Sequence, residues 1–165
     1  VNSNTGLVTG ISIGTVTLTA TSAGDTNYNV ATTSQLITIG KTTPVLTITS
    51  ANTLNVNSSL TATVTTTATL GRGGAFTYAI TAGSGSATVN ASTGLITGIS
   101  IGTVTLTVTS AGDTNYNVAT TSQLITIGKT TPVLTITSAN TISVDGTLTA
   151  TVTTTATLGR GGAIT

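Results

Sequence analysis

Self-similarity constrains this chain more than any other feature. Gly10-Ile11-Ser12-Ile13-Gly14-Thr15 returns as Gly98-Ile99-Ser100-Ile101-Gly102-Thr103. Asp25 returns as Asp113, Lys41 as Lys129, Pro44 as Pro132 and Arg72 as Arg160. The shift is 88 residues throughout, and 10 of the 77 overlapping pairs differ. A fixed period of that size marks a tandem array of like units. The differences concentrate where Leu54–Ser59 becomes Ile142–Thr147, as a surface turn tolerates. Val1 and Thr165 fall at unrelated phases of the repeat and read as edges of a window onto a longer array.

The joint between units is expected at Gly40-Lys41-Thr42-Thr43-Pro44 and again at Gly128-Lys129-Thr130-Thr131-Pro132. Each joins a flexible Gly, a charge and a Pro that cannot sit in a central strand. The expected units are the C-terminal part of one repeat (1–41), a complete repeat (42–129) and the N-terminal part of the next (130–165).

Period-2 apolar alternation, broken by Gly, Asn, Asp and Ser clusters, predicts an all-β chain of antiparallel sandwiches. The predicted strands of the complete unit are Val45–Ser50, Ser59–Thr67, Ala75–Thr81, Ala87–Asn90, Leu95–Ile101, Gly102–Thr109 and Thr120–Ile127. Leu60, Ala62 and Val64 are assigned to the core, as are Val104, Leu106 and Val108. Phe76, Tyr78 and Ile80 share one face. The threonines between Val104, Leu106 and Val108 face outward. No segment has helical periodicity. Disorder is disfavoured, because the chain is 38% hydrophobic, with two prolines and 47 threonines.

Charged residues are 4% of the sequence and the net charge is +1, so there is no electrostatic footprint for nucleic acid. No apolar run approaches the length needed to span a bilayer, and no signal peptide is visible. His, Cys and Glu are absent, so no triad, carboxylate pair or thiol nucleophile can be assembled within one repeat. The expectation is a protein without enzymatic activity or cofactor.

Calcium is the one metal to weigh. Asp25-Thr26-Asn27-Tyr28-Asn29, repeated at Asp113–Asn117, alternates oxygen ligands at Asp25 and Asn27, and at Asp113 and Asn115, like the opening of a calcium loop. Val118 then stands where Gly is wanted and Leu124 where a bidentate Glu is wanted. An Asx turn with Tyr116 packed at the sandwich edge is favoured over it. Lys129 reads as a solvated linker lysine rather than one half of an intramolecular amide. Gly71-Arg72-Gly73-Gly74 lacks the Lys-Ser/Thr and helix of a phosphate loop. The threonine rows lack the short coil period of an ice-binding solenoid. Asn57-Ser58-Ser59 and Asn90-Ala91-Ser92 match the glycosylation sequon, which chance supplies often in so Ser/Thr-rich a chain.

Ala87-Thr88-Val89-Asn90…Gly94-Leu95-Ile96-Thr97-Gly98-Ile99 followed by Gly102-Thr103-Val104-Thr105-Leu106 resembles the bacterial immunoglobulin-like repeats of invasin- and intimin-type surface proteins. Ala111–Tyr116 followed by Gly128–Pro132 is similar to the ends of such repeats in giant adhesins. The resemblance spans the whole chain and implies tandem immunoglobulin-like sandwiches on a bacterial cell surface. The implied role is a spacer in a fibre, stalk or adhesin, with a glycan- or host-surface-binding module as the alternative. The expected partners are neighbouring repeats of the same chain. The charge-poor exterior adds self-association into a fibre or surface layer.

Overall fold

A computed structural model of the chain describes residues 1–69, 73–156 and 164. They form two compact units, Val1–Gly128 and Lys129–Thr165. The division falls inside the second Gly-Lys-Thr-Thr-Pro segment. Gly71, Arg72 and Arg160 lie outside the described residues.

The first unit opens with a hairpin, β1 (Gly14–Ser22) and β2 (Ala31–Ile39), paired from Gly14↔Ile39 to Ser22↔Ala31. The complete repeat follows as β3 (Leu46–Ile48), β4 (Thr53–Asn55), β5 (Ser59–Thr61), β6 (Val64–Thr66), β7 (Phe76–Ala82), β8 (Ser86–Val89), β9 (Leu95–Ser100), β10 (Gly102–Ser110) and β11 (Ala119–Gly128). One sheet has the order β4-β11-β10-β7. Pairs β3-β6 and the trio β5-β9-β8 bring their apolar faces against it. Every contact within these sheets is antiparallel except β4 on β11.

The central strand shows why this sequence folds so. Along β10, Val104, Leu106 and Val108 are 0% exposed, and the threonines between them are half-covered on the opposite face. Period-2 alternation in an antiparallel strand places every second side chain in the core. The register sets Thr105 beside Leu124 and Thr81, and Thr109 beside Thr120 and Thr77. β-branched side chains suit such a pleated surface: methyls pack across strands while hydroxyls meet water. Ile96, Ile125 and Ile127 complete the centre of the core, with Leu54 from β4 and Ala62 from between β5 and β6.

Two expectations need correction. Ser59–Thr67 is not one strand. The ladder breaks at Ala62 and Thr63, where Ala62 N–H donates to Gly94 O and Thr63 O accepts from Thr49 N–H. β5 therefore pairs with β9 and β6 with β3. The alternation survives the break, since Ala62 stays buried and Leu60 and Val64 half-buried, so pattern alone cannot reveal the change of partner. The second correction is β4, which was not foreseen. Only three residues long, it runs parallel to β11 with Leu54 opposite Ile127.

Gly98 marks a close approach between strands. A Cβ there would lie 2.8 Å from Asn55 O and 3.2 Å from Ile127 Cγ2. Gly98→Val is expected to destabilise the repeat by about 1–3 kcal/mol through overpacking, measured as a lowered urea midpoint.

The second unit consists of β12 (Leu134–Ile136) and β13 (Val152–Thr154), paired as Leu134↔Thr154 to Ile136↔Val152. The register matches that of β3 on β6, shifted by the repeat. The side-chain clamp is also preserved: Val45 N–H donates to Thr67 Oγ1, and Val133 N–H to Thr155 Oγ1, both at 2.9 Å. Asn57 and Asp145, the divergent turn position, both adopt positive φ (63° and 61°). Asn and Asp tolerate that region best after Gly, which explains why this exchange is allowed.

Candidate functional site

Two motifs that recur without change, Asp113–Asn117 and Lys41–Pro44, meet at one place, the joint at Gly40–Pro44 within the first unit. Asp113 organises it. Its Oδ1 accepts the N–H groups of Asn115 (2.7 Å) and Tyr116 (2.9 Å), an Asx turn, and its Oδ2 accepts Gly73 N–H at 2.7 Å. The turn thus holds the loop after β10 and pins it to the buried Gly73 before β7. Ser110, 1% exposed, adds a hydroxyl donated to Gly73 O.

The shaped loop then receives the preceding segment. Thr42 forms a parallel bridge with Tyr116. Its N–H donates to Asn115 O (3.1 Å), and its carbonyl accepts from Asn117 N–H (2.9 Å). Asn117 Nδ2 reaches Thr43 Oγ1 at 3.0 Å, and Lys41 Nζ donates to Asp113 O at 2.8 Å. Asn115 Oδ1 accepts Ile13 N–H at 3.1 Å, which ties the end of the first hairpin to the complete repeat. Tyr116 turns its ring the other way, its hydroxyl 3.1 Å from Thr69 Oγ1. Pro44 is buried just beyond.

The linker residues therefore take unequal roles. Gly40 is exposed, with nothing near a Cβ built on it, whereas Lys41, Thr42 and Thr43 are hydrogen-bonded to the 113–117 loop. At the second motif, Gly128 O accepts Val56 N–H, Lys129 is exposed and Pro132 is half-buried. In the first copy of the turn, Asp25 Oδ1 accepts the N–H groups of Asn27 (2.7 Å) and Tyr28 (2.9 Å) on an exposed loop. The candidate calcium residues Asp25, Asp113 and Asn115 thus serve as hydrogen-bond acceptors for backbone N–H groups. Among the described residues no three His, Cys, Asp or Glu side chains converge as metal ligands.

A cleft of about 300 Å³ lies at the joint, bordered by Gly10–Ile13, Gly40 and Asn115–Tyr116. Its lining carries hydroxyl, amide and apolar groups. A hydroxyl without an adjacent base is not an activated nucleophile, so the cleft reads as the geometry of a joint. What sequence reasoning missed is the docking itself. The signal was present: Asp-Thr-Asn-Tyr-Asn and Lys-Thr-Thr-Pro recur unchanged together while the 54–59 turn drifts.

Asn115→Ala removes the acceptor for Ile13 N–H. It is expected to cost about 0.5–1.5 kcal/mol, the worth of one neutral hydrogen bond. Faster amide exchange at Ile13, with the core amides of β10 unchanged, is the measurement that checks it.

No helix among the described residues is long and apolar enough to cross a membrane. No protein-family model and no curated protein matches this chain.

Proposed function

We propose that this chain is a structural repeat segment of a long bacterial extracellular fibre, stalk or adhesin, giving reach and mechanical continuity at the cell surface. The observation that carries this reading is the hydrogen-bonded joint. All of its residues recur in the other copy, as Asp25–Asn29, Ile101 and Lys129–Thr131, so the same joint can form at every boundary of an array. A flexible Gly/Ser tether would let units swing independently. Docking of Ile13 and Lys41 on the next repeat's 113–117 loop restrains that motion.

The strand order supports an immunoglobulin-like unit. Sheets β3-β6 with β5-β9-β8, opposite β4-β11-β10-β7, follow the two-sheet connectivity of that sandwich, with β4 as the short strand that crosses to the second sheet. The exterior threonine rows and scarcity of charge favour lateral packing of such fibres into a filament or surface layer.

Pulling a recombinant chain of several tandem repeats by its ends tests the mechanical reading. Equal unfolding steps of roughly 270 Å are expected, one extended 88-residue repeat less its folded length. Featureless extension at low force would contradict it. Tight binding of the unpulled chain on a glycan array would replace it with an adhesive module.

A further inference from the structure

An edge strand displays backbone groups that another strand can complete, and natural sheets guard their edges by shortness, charge, Pro or bulges. Within the complete repeat, β3, β4, β5 and β6 are three residues long. β8 has four residues and a register shift between Ser86 and Ala87. β7 carries no such guard. It runs for seven residues, Phe76-Thr77-Tyr78-Ala79-Ile80-Thr81-Ala82, without charge, Pro or Gly. It pairs with β10 alone, in an unbroken register.

The ladder shows which groups are free. Ala111 N–H donates to Ala75 O and Gly83 N–H to Thr103 O. Alternation then gives the backbone groups of Thr77, Ala79 and Thr81 to β10, and turns those of Phe76, Tyr78, Ile80 and Ala82 outward. Tyr78 N–H follows that parity, donating away from β10 to Ala91 O at 3.0 Å. Beyond it, Ile80 and Ala82 make no outward backbone hydrogen bond among the described residues. Ala79, Thr81 and Ala82 are exposed and Ile80 is half-buried. β8, next along the chain, is paired only with β9 of the other sheet.

We infer that β7 pairs edge to edge with β7 of a second copy. The occupant is a second copy because this edge is its own complement. Turned about a two-fold axis through Ile80, two β7 strands pair antiparallel, with Ile80 opposite Ile80 and Ala79 opposite Thr81. The two Ile80 residues exchange N–H···O bonds, and Ala82 N–H reaches Tyr78 O. Parallel pairing of the same edges would set the second layer of one sandwich on the outer side of the other. Neither strand bears a charge, so identical edges meet without repulsion. Two such strands bury less than the roughly 1,000 Å² of a stable interface. A single pair is therefore weak, and many repeats meeting along a fibre strengthen it. The inference rests on the lateral-packing reading and names its contact and polarity, since paired chains run in opposite directions.

Sedimentation of the full chain up to millimolar concentration tests it. A monomer–dimer equilibrium is expected, with amide exchange at Ile80 slowing as dimer forms. Ala79→Lys combined with Thr81→Lys sets like charges opposite one another twice, and is expected to weaken dimerisation at least roughly ten-fold. Both residues are exposed, and an unchanged melting temperature in dilute solution reports that the variant is folded. Mixing it with a chain carrying Ala79→Glu and Thr81→Glu is expected to restore a mixed dimer. Thr120→Lys with Ser122→Lys, on β11 and separated from the β7 edge by β10, is expected to leave dimerisation unchanged. Association that survives the β7 lysines, or falls equally with the β11 lysines, would overturn edge pairing and leave lateral packing to another face. So would failure of the lysine and glutamate chains to combine. A chain that stays monomeric at every concentration would overturn both readings.

Discussion

Leu106→Ala is expected to cost the complete repeat about 2–5 kcal/mol, whereas Leu18→Ala, the same position one repeat earlier, is expected to cost less than about 1 kcal/mol. Leu106 is 0% exposed at the centre of β10, between Val104 and Val108 and opposite Ile96 and Leu54 in the core. Truncation there removes transfer free energy and leaves a void that rigid strands on both sides cannot close. Leu18 sits in an identical Thr-Leu-Thr context but is only half-covered, so water fills the space. Domains of this size are stable by about 5–15 kcal/mol, so the first substitution removes a large share of the total. Urea denaturation followed by circular dichroism measures both. Equal effects would mean that the hairpin and the repeat share one core.

Asp113→Ala carries the second large effect. Three backbone N–H groups, from Gly73, Asn115 and Tyr116, converge on this carboxylate. Removing a charged acceptor leaves them to water or unpaired, the buried Gly73 N–H most of all. Hydrogen bonds to charged groups are worth about 1.5–3 kcal/mol each but do not add, and Asp113 is half-exposed, so about 2 kcal/mol is expected. Asp113→Asn keeps the turn acceptor and turns an amide N–H₂ toward Gly73, giving an intermediate loss. Asp25→Ala is expected to cost about 0.5–1 kcal/mol, because that turn is exposed and holds two N–H groups. Thermal melting ranks the three variants, and amide exchange at Gly73 separates loss of the joint from loss of the turn.

These contrasts show what was legible in the residues. The alternation of Val104, Leu106 and Val108 with threonine fixes strand, face and burial at once, because sheet periodicity is local. The Asx turn at Asp113 was equally readable, its side chain accepting N–H groups two and three residues on, whereas the like turn at Asn90 was read as a strand end. Pairing partners were not readable. Ser59–Thr67 looks continuous because its apolar period continues across the break, while the ladder changes from β9 to β3. β4 is too short to show a period, and it forms only because β11, over 60 residues later, offers an edge.

The joint was half-legible. Lys41 and Pro44 flagged a boundary, and composition suggested a loose, solvated tether. Composition describes the tether alone, whereas the docking depends on Asn115 and Asn117, some 74 residues away. Outward threonines on β10 are half-covered between neighbouring strands and present hydroxyls instead of charges.

We propose that consecutive repeats are held by a stiff joint that recurs along an array. Small-angle X-ray scattering on recombinant chains of two, four and six tandem repeats tests it most directly. The maximum dimension is expected to grow linearly, by about 40 Å per repeat, set by ten-residue strands such as β11 plus the joint. Growth closer to the square root of repeat number, as for freely jointed beads, would contradict it.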